Sequence, residues 1–121
     1  MKTRFLFAPL AVAMALTAGA AAAANLGNLS GQACPAGYTG TWHFVNNQTG
    51  GAASGFLTAS FSSGTCSVGA SKVLASSQHF YCVGYGGSLL GASTNLPGKL
   101  VLSDFSCVQD KVCDPKVEKC D

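Results

Sequence analysis

The sequence is short of charge, and the shortage is uneven. Lysine and arginine together number seven and aspartate and glutamate five in 121 residues, and no arginine follows Arg4. Nucleic-acid binding needs basic side chains to neutralise phosphates, and a chain this poor in them is not expected to bind DNA or RNA. Acid is equally scarce, because Asp104 is the only carboxylate before Asp110. That excludes the paired carboxylates of glycoside hydrolysis. No two cysteines have the two-residue spacing of a zinc ribbon or redox motif, and no Gly-x-Ser-x-Gly elbow occurs. Gly84-Tyr85-Gly86-Gly87 lacks the lysine and the following helix of a phosphate loop, so it reads as a flexible connection. No cofactor, metal site or catalytic residue is therefore expected, and the protein is read as non-enzymatic.

Helical periodicity is missing too. After the first two dozen residues, no segment of a dozen repeats its apolar positions every three to four residues. No second apolar run is long enough to span a bilayer, so no membrane span is expected once the leading segment is removed.

That leading segment has a clear pattern. Lys2 and Arg4 precede an uncharged run from Phe5 to Ala24 whose apolar middle holds Leu6, Phe7, Leu10, Val12, Met14 and Leu16. The run narrows to alanines at 20–24. A basic head, an apolar stretch and a small-residue end form a secretory signal peptide. Residues 1–24 are assigned to it, with cleavage expected after Ala24 and Ala20 to Ala23 as alternatives. Cys34 lies too far downstream to carry a lipoprotein anchor. The expected location is secreted, extracellular or at the cell surface, with the periplasm as a further compartment.

Cleavage there leaves residues 25–121, enough for one domain. With Lys2 and Arg4 gone, five lysines face five acids and the formal net charge is zero. Most of these charges crowd the end: Asp110, Lys111, Asp114, Lys116, Glu118, Lys119 and Asp121. The chain divides into a β domain at 25–109 and a charged, cysteine-containing tail at 110–121. All six cysteines (Cys34, Cys66, Cys82, Cys107, Cys113 and Cys120) follow the signal. An even number in an exported chain indicates disulfides. Six cysteines allow 15 pairings and the sequence does not choose among them, although Cys113 with Cys120 is the natural local pair.

Strand patterns fill the rest. Residues 25–33 form a small polar lead, read as extended or loose. Tyr38 to Asn46 alternates, placing Trp42 and Phe44 on one face and His43 and Val45 on the other. Phe56 to Phe61 sets Leu57, Ala59 and Phe61 against Phe56, Thr58 and Ser60. Thr65 to Leu74 reads as a third strand bent at Gly69. Gln78 to Gly84 opposes Phe80 and Cys82 to His79, Tyr81 and Val83. Ser88 to Ser93 and Lys99 to Cys107 complete about six strands, the last two separated by the turn Asn95-Leu96-Pro97-Gly98. The expected fold is mainly β: a small disulfide-stapled antiparallel sandwich or barrel.

Two histidines, His43 and His79, would share a face if their strands were neighbours. Each also sits among aromatics as an ordinary strand residue. Tyr38, Trp42, Tyr81 and Tyr85 are the candidates for ligand contact, as aromatic planes against which a sugar ring packs. Trp42 competes for a core position through its alternation with Phe44, whereas Tyr38 and Tyr85 adjoin glycines and suit exposure. Asn28-Leu29-Ser30 and Asn47-Gln48-Thr49 match glycosylation acceptors.

The expected function is a secreted structural or surface-interaction protein, a self-assembling matrix, fibre or envelope component. A carbohydrate- or cell-surface-binding module and a small secreted inhibitor or effector are the alternatives. Self-association is expected from the uncharged strands around Trp42 to Val45, Phe56 to Phe61 and Phe80 to Val83, because an unguarded sheet edge recruits another strand.

Overall fold

The computed structural model describes residues 23–110. Residues 1–22 of the expected signal segment, the tail beyond Asp110 and the expected Cys113–Cys120 pair lie outside the described residues. Within them the chain forms strands and no helix. In chain order they are β1 (Ala24–Asn25), β2 (Tyr38–Asn47), β3 (Phe56–Phe61), β4 (Gly64–Gly69), β5 (Lys72–Val73), β6 (Ser77–Tyr85), β7 (Leu89–Thr94) and β8 (Lys99–Gln109).

Two four-stranded antiparallel sheets face each other, one ordered β1-β7-β3-β4 and the other β5-β6-β2-β8. This is the expected disulfide-stapled sandwich, with eight strands instead of about six. Two differences account for the count. Ala24 and Asn25, at the start of the extended lead, add a strand by pairing with Thr94 and Ser93. The segment from Thr65 to Leu74 is not one bent strand. Ala70 N–H bonds Gly55 O while Ser71 N–H bonds His79 O. The backbone changes partner within one residue, so β4 belongs to the first sheet and β5 to the second.

Alternation decides what fills the interior. Trp42, Phe44, Leu57, Ala59, Phe80 and Cys82 are all fully buried, each on the inward face that the two-residue period assigns it. Trp42 packs its ring flat on Phe105 at 4.4 Å and tilted on Phe61 at 4.9 Å. The buried indole N–H donates to Tyr85 O at 2.8 Å, which satisfies a donor that would otherwise be costly.

Two disulfides staple the layers. Cys66–Cys82 joins β4 to β6, one strand from each sheet. Cys34–Cys107 ties the lead to β8. Gly40 makes room for the second staple, because a Cβ there would lie 2.9 Å from Cys34 Sγ, Ser106 O and Trp42 Nε1 alike. The expected turn at Pro97-Gly98 is present, with Gly98 at φ +98° against the carbonyl of Asn47. Disulfides of this kind suit an oxidising compartment. Among the described residues no helix is long and apolar enough to cross a membrane.

The strands from which self-association was expected are largely interior. β2 runs between β6 and β8, and β3 between β7 and β4. β6 has β2 along one side, but β5 covers its other side only at Gln78 and His79. The lead guards part of another edge. Gly27 N–H bonds Leu100 O, and the Asn28 amide both donates to Leu102 O and accepts from Leu102 N–H. One side chain thus imitates a neighbouring strand along the first half of β8.

Candidate functional site

At one end of the sandwich β2 begins and β6 finishes, and the loop after β6 turns back toward the lead. This junction encloses a cleft of about 540 Å³, within the size range of small-molecule sites. Tyr38, Thr39, Ser63, Tyr85 and Asp110 line it, together with the backbone of Gly84 to Gly87.

Each wall has an identifiable support. Tyr38 opens β2, and its N–H bonds Pro35 O at 3.0 Å. Tyr85 closes β6, with its carbonyl held by Trp42 and its ring stacked on Phe61 at 5.1 Å. Its hydroxyl donates to Thr65 O at 3.2 Å. Ser63 Oγ donates to Gly86 O and accepts from Gly86 N–H, pinning the glycine loop to the β3–β4 turn. Gly86 approaches Tyr38 so closely that a Cβ would meet the Tyr38 carbonyl at 2.7 Å. Asp110 N–H bonds Gly37 O, and its carboxylate accepts from Thr39 Oγ1 at 3.1 Å. The result is two half-buried tyrosines beside one carboxylate, two hydroxyls and a ridge of peptide groups.

The four aromatic candidates therefore separate. Tyr38 and Tyr85 meet in the cleft. Trp42 is fully buried and presents no face to a ligand; it acts beneath the site by fixing the Tyr85 backbone. Tyr81 stands on the outer face of the second sheet, stacked on His43 at 4.4 Å with the rings nearly parallel.

That outer face holds a second group of polar side chains. β2 and β6 are neighbours, so both histidines face outward on adjoining strands. His43 Nε2 lies 2.9 Å from His79 Nδ1, and His43 Nδ1 lies 2.9 Å from Asp104 Oδ1. The histidine pair was conditional on strand neighbourhood. The carboxylate was not foreseen beside it, because Asp104 reaches His43 only through the register of β8 on β2.

A second groove, about 400 Å³, crosses the outer face of the first sheet beside Thr58, Ser60, Ser93 and Leu29. It has hydroxyls but no aromatic ring, and so lacks the platform that the tyrosine cleft has. No protein-family model, curated protein or solved structure matches the chain.

Proposed function

We propose that this chain is an exported, non-enzymatic surface-interaction protein, and that its interaction is the binding of a saccharide in the cleft between Tyr38 and Tyr85. The observation that carries this reading is the convergence of those two tyrosines, from the start of β2 and the end of β6, on one cleft with Asp110, Thr39 and Ser63. A saccharide offers apolar ring faces and a rim of hydroxyls. Aromatic planes take the first; the carboxylate, hydroxyls and exposed peptide groups take the second. Among the described residues the cleft offers no histidine and one carboxylate, which supports binding over turnover.

Retention on a panel of insoluble polysaccharides tests the reading. The secreted protein is expected to be retained on at least one. Tyr38→Ala should abolish retention and Tyr85→Phe, which keeps the ring, should preserve it. Tyr81→Ala, on a different face, should leave it unchanged. Failure to bind any polysaccharide, or retention indifferent to Tyr38→Ala, overturns the proposal.

Assembly into a matrix or fibre is a second reading, and one observation favours it. Among the described residues β8 is an edge strand, and its second half, Phe105 to Gln109, carries no charge and has no strand beside it on the far side. Concentration-dependent multimers, dispersed by Val108→Lys, would support this reading; a strictly monomeric sedimentation profile would remove it.

A further inference from the structure

We propose that His43 and His79 form a surface site for a divalent transition-metal ion, bound by His43 Nε2 and His79 Nδ1 and completed by water. The site is separate from the tyrosine cleft and stands or falls independently of it.

The geometry is close to what a metal needs. With imidazole nitrogens about 2.0–2.1 Å from the ion, two ligands stand about 2.9 Å apart at a square-planar corner and about 3.3 Å apart in a tetrahedron. The two nitrogens stand 2.9 Å apart. Their rings are inclined by only 21° and the two nitrogens face each other, so each ring turns by about 35–45° to bring both lone pairs onto one ion.

Asp104 makes His43 a prepared ligand. Its carboxylate accepts a hydrogen bond from His43 Nδ1–H at 2.9 Å, which leaves Nε2 as the unprotonated nitrogen, facing His79. A carboxylate behind a ligating histidine fixes the tautomer and raises the basicity of the coordinating nitrogen. Tyr81 locks the plane of the same ring by stacking, 4.4 Å away and within 5° of parallel. The His43 side chain is 18% exposed and Asp104 is 75% exposed. An ion and its waters therefore reach the site from solvent.

Without metal, His79 Nδ1–H donates to His43 Nε2. Metal replaces that proton, which moves to His79 Nε2 through solvent, so the neutral pair binds with no net proton release. Lys72 pairs with His79 across β5 and β6 and opposes a cation there. Among the described residues no third histidine, cysteine or acid joins the pair as a direct ligand. The remaining positions are open, which favours Cu²⁺ over Zn²⁺ by the usual order of imidazole sites and disfavours Mg²⁺.

Titration of the tag-free secreted protein with CuCl₂, ZnCl₂ and MgCl₂ tests this. Saturable binding of one Cu²⁺ and, more weakly, one Zn²⁺ is expected, with none of Mg²⁺. His43→Ala and His79→Ala should each abolish it, Asp104→Asn should weaken it about tenfold, and Lys72→Gln should tighten it. Imidazole ¹⁵N spectra of the unsubstituted protein with Zn²⁺ should show coordination through Nε2 of His43 and Nδ1 of His79. Absence of saturable binding, coordination through other nitrogens, or binding that survives substitution of both histidines overturns the proposal.

Discussion

Thr94 donates a hydrogen bond to Asn46 across the sealed interior, joining β7 of one sheet to β2 of the other. The Asn46 amide also donates to Pro97 O at 2.9 Å. Gln78, fully buried, accepts from Gly55 N–H and donates to Ala52 O and Ala53 O. The sandwich thus has polar ties inside its apolar filling, and both hold loops against the core.

Removing these ties leaves buried groups without partners. Gln78→Leu is expected to cost about 2–4 kcal/mol, because the buried Gly55 N–H loses its acceptor at about 1–3 kcal/mol, while the more exposed carbonyls of Ala52 and Ala53 lose a donor that water replaces in part. Thr94→Val should cost less, about 1–2 kcal/mol. Urea denaturation curves of the three proteins check the order; a Gln78→Leu protein as stable as the parent would contradict it.

Peptide mapping without reduction should recover Cys34 linked to Cys107 and Cys66 linked to Cys82. In the chain-entropy model, bridges separated by 73 and 16 residues contribute about 4.4 and about 3 kcal/mol respectively. Replacing Cys34 and Cys107 by alanine should therefore lower the denaturation midpoint more than replacing Cys66 and Cys82, and the reverse order would contradict the chain-entropy account.

The mature amino terminus should retain Ala24. This residue is 3% exposed and pairs with Thr94 in β1, so cleavage after it would remove a packed residue from the folded domain. Cleavage at one of the preceding alanines keeps the strand whole. Intact-mass measurement of secreted protein distinguishes a chain beginning at Asn25 from one that begins earlier.

Acid should weaken the fold of metal-free protein through His79. Its pKa is lowered in the folded state by burial, His43 and Lys72, so the unfolded chain binds the proton first. Stability from this group is full above the ordinary histidine value of about 6.5 and is lost as pH falls from there through the folded value. Asp104, hydrogen-bonded to His43, is the nearby acid that faces the pair. Denaturation midpoints between neutral and mildly acidic pH should fall more in the parent than in a His79→Gln protein.

Much of the fold was legible in the alternation of particular strands. Trp42 and Phe44 share one face and His43 and Val45 the other because the pleat has a period of two, and no partner is needed to know it. The same holds for Leu57, Ala59 and Phe61. Period breaks down where a strand changes sheet: nothing between Thr65 and Leu74 announces that Ala70 and Ser71 bond to different layers. It is silent, too, on buried polar residues. Gln78 and Asn46 occupy inward positions of their strands, yet the partners of Gln78, and Pro97 among those of Asn46, lie in loops whose path depends on the whole sandwich.

The candidate sites divide in the same way. Tyr38 and Tyr85 stood out as aromatics beside glycines, but only the return of β6 toward the start of β2 makes them walls of one cleft. His43 and His79 were a conditional pair, and Asp104 was merely the one acid in a long neutral stretch.

By itself the sequence determined the class: strands rather than helices, which residues face inward on most of them, and a chemistry without basic grooves or paired carboxylates. Local steric preference and the two-residue period suffice for that, since both act between near neighbours. Tertiary structure decided the cysteine pairing, the burial of Asn46 and Gln78, the cleft, and the contact of Asp104, His43 and His79. Those depend on which strands lie side by side and in what register, a choice set by the packing of both sheets at once, and a shift of one residue on β2 or β8 would turn every one of their side chains to the opposite face.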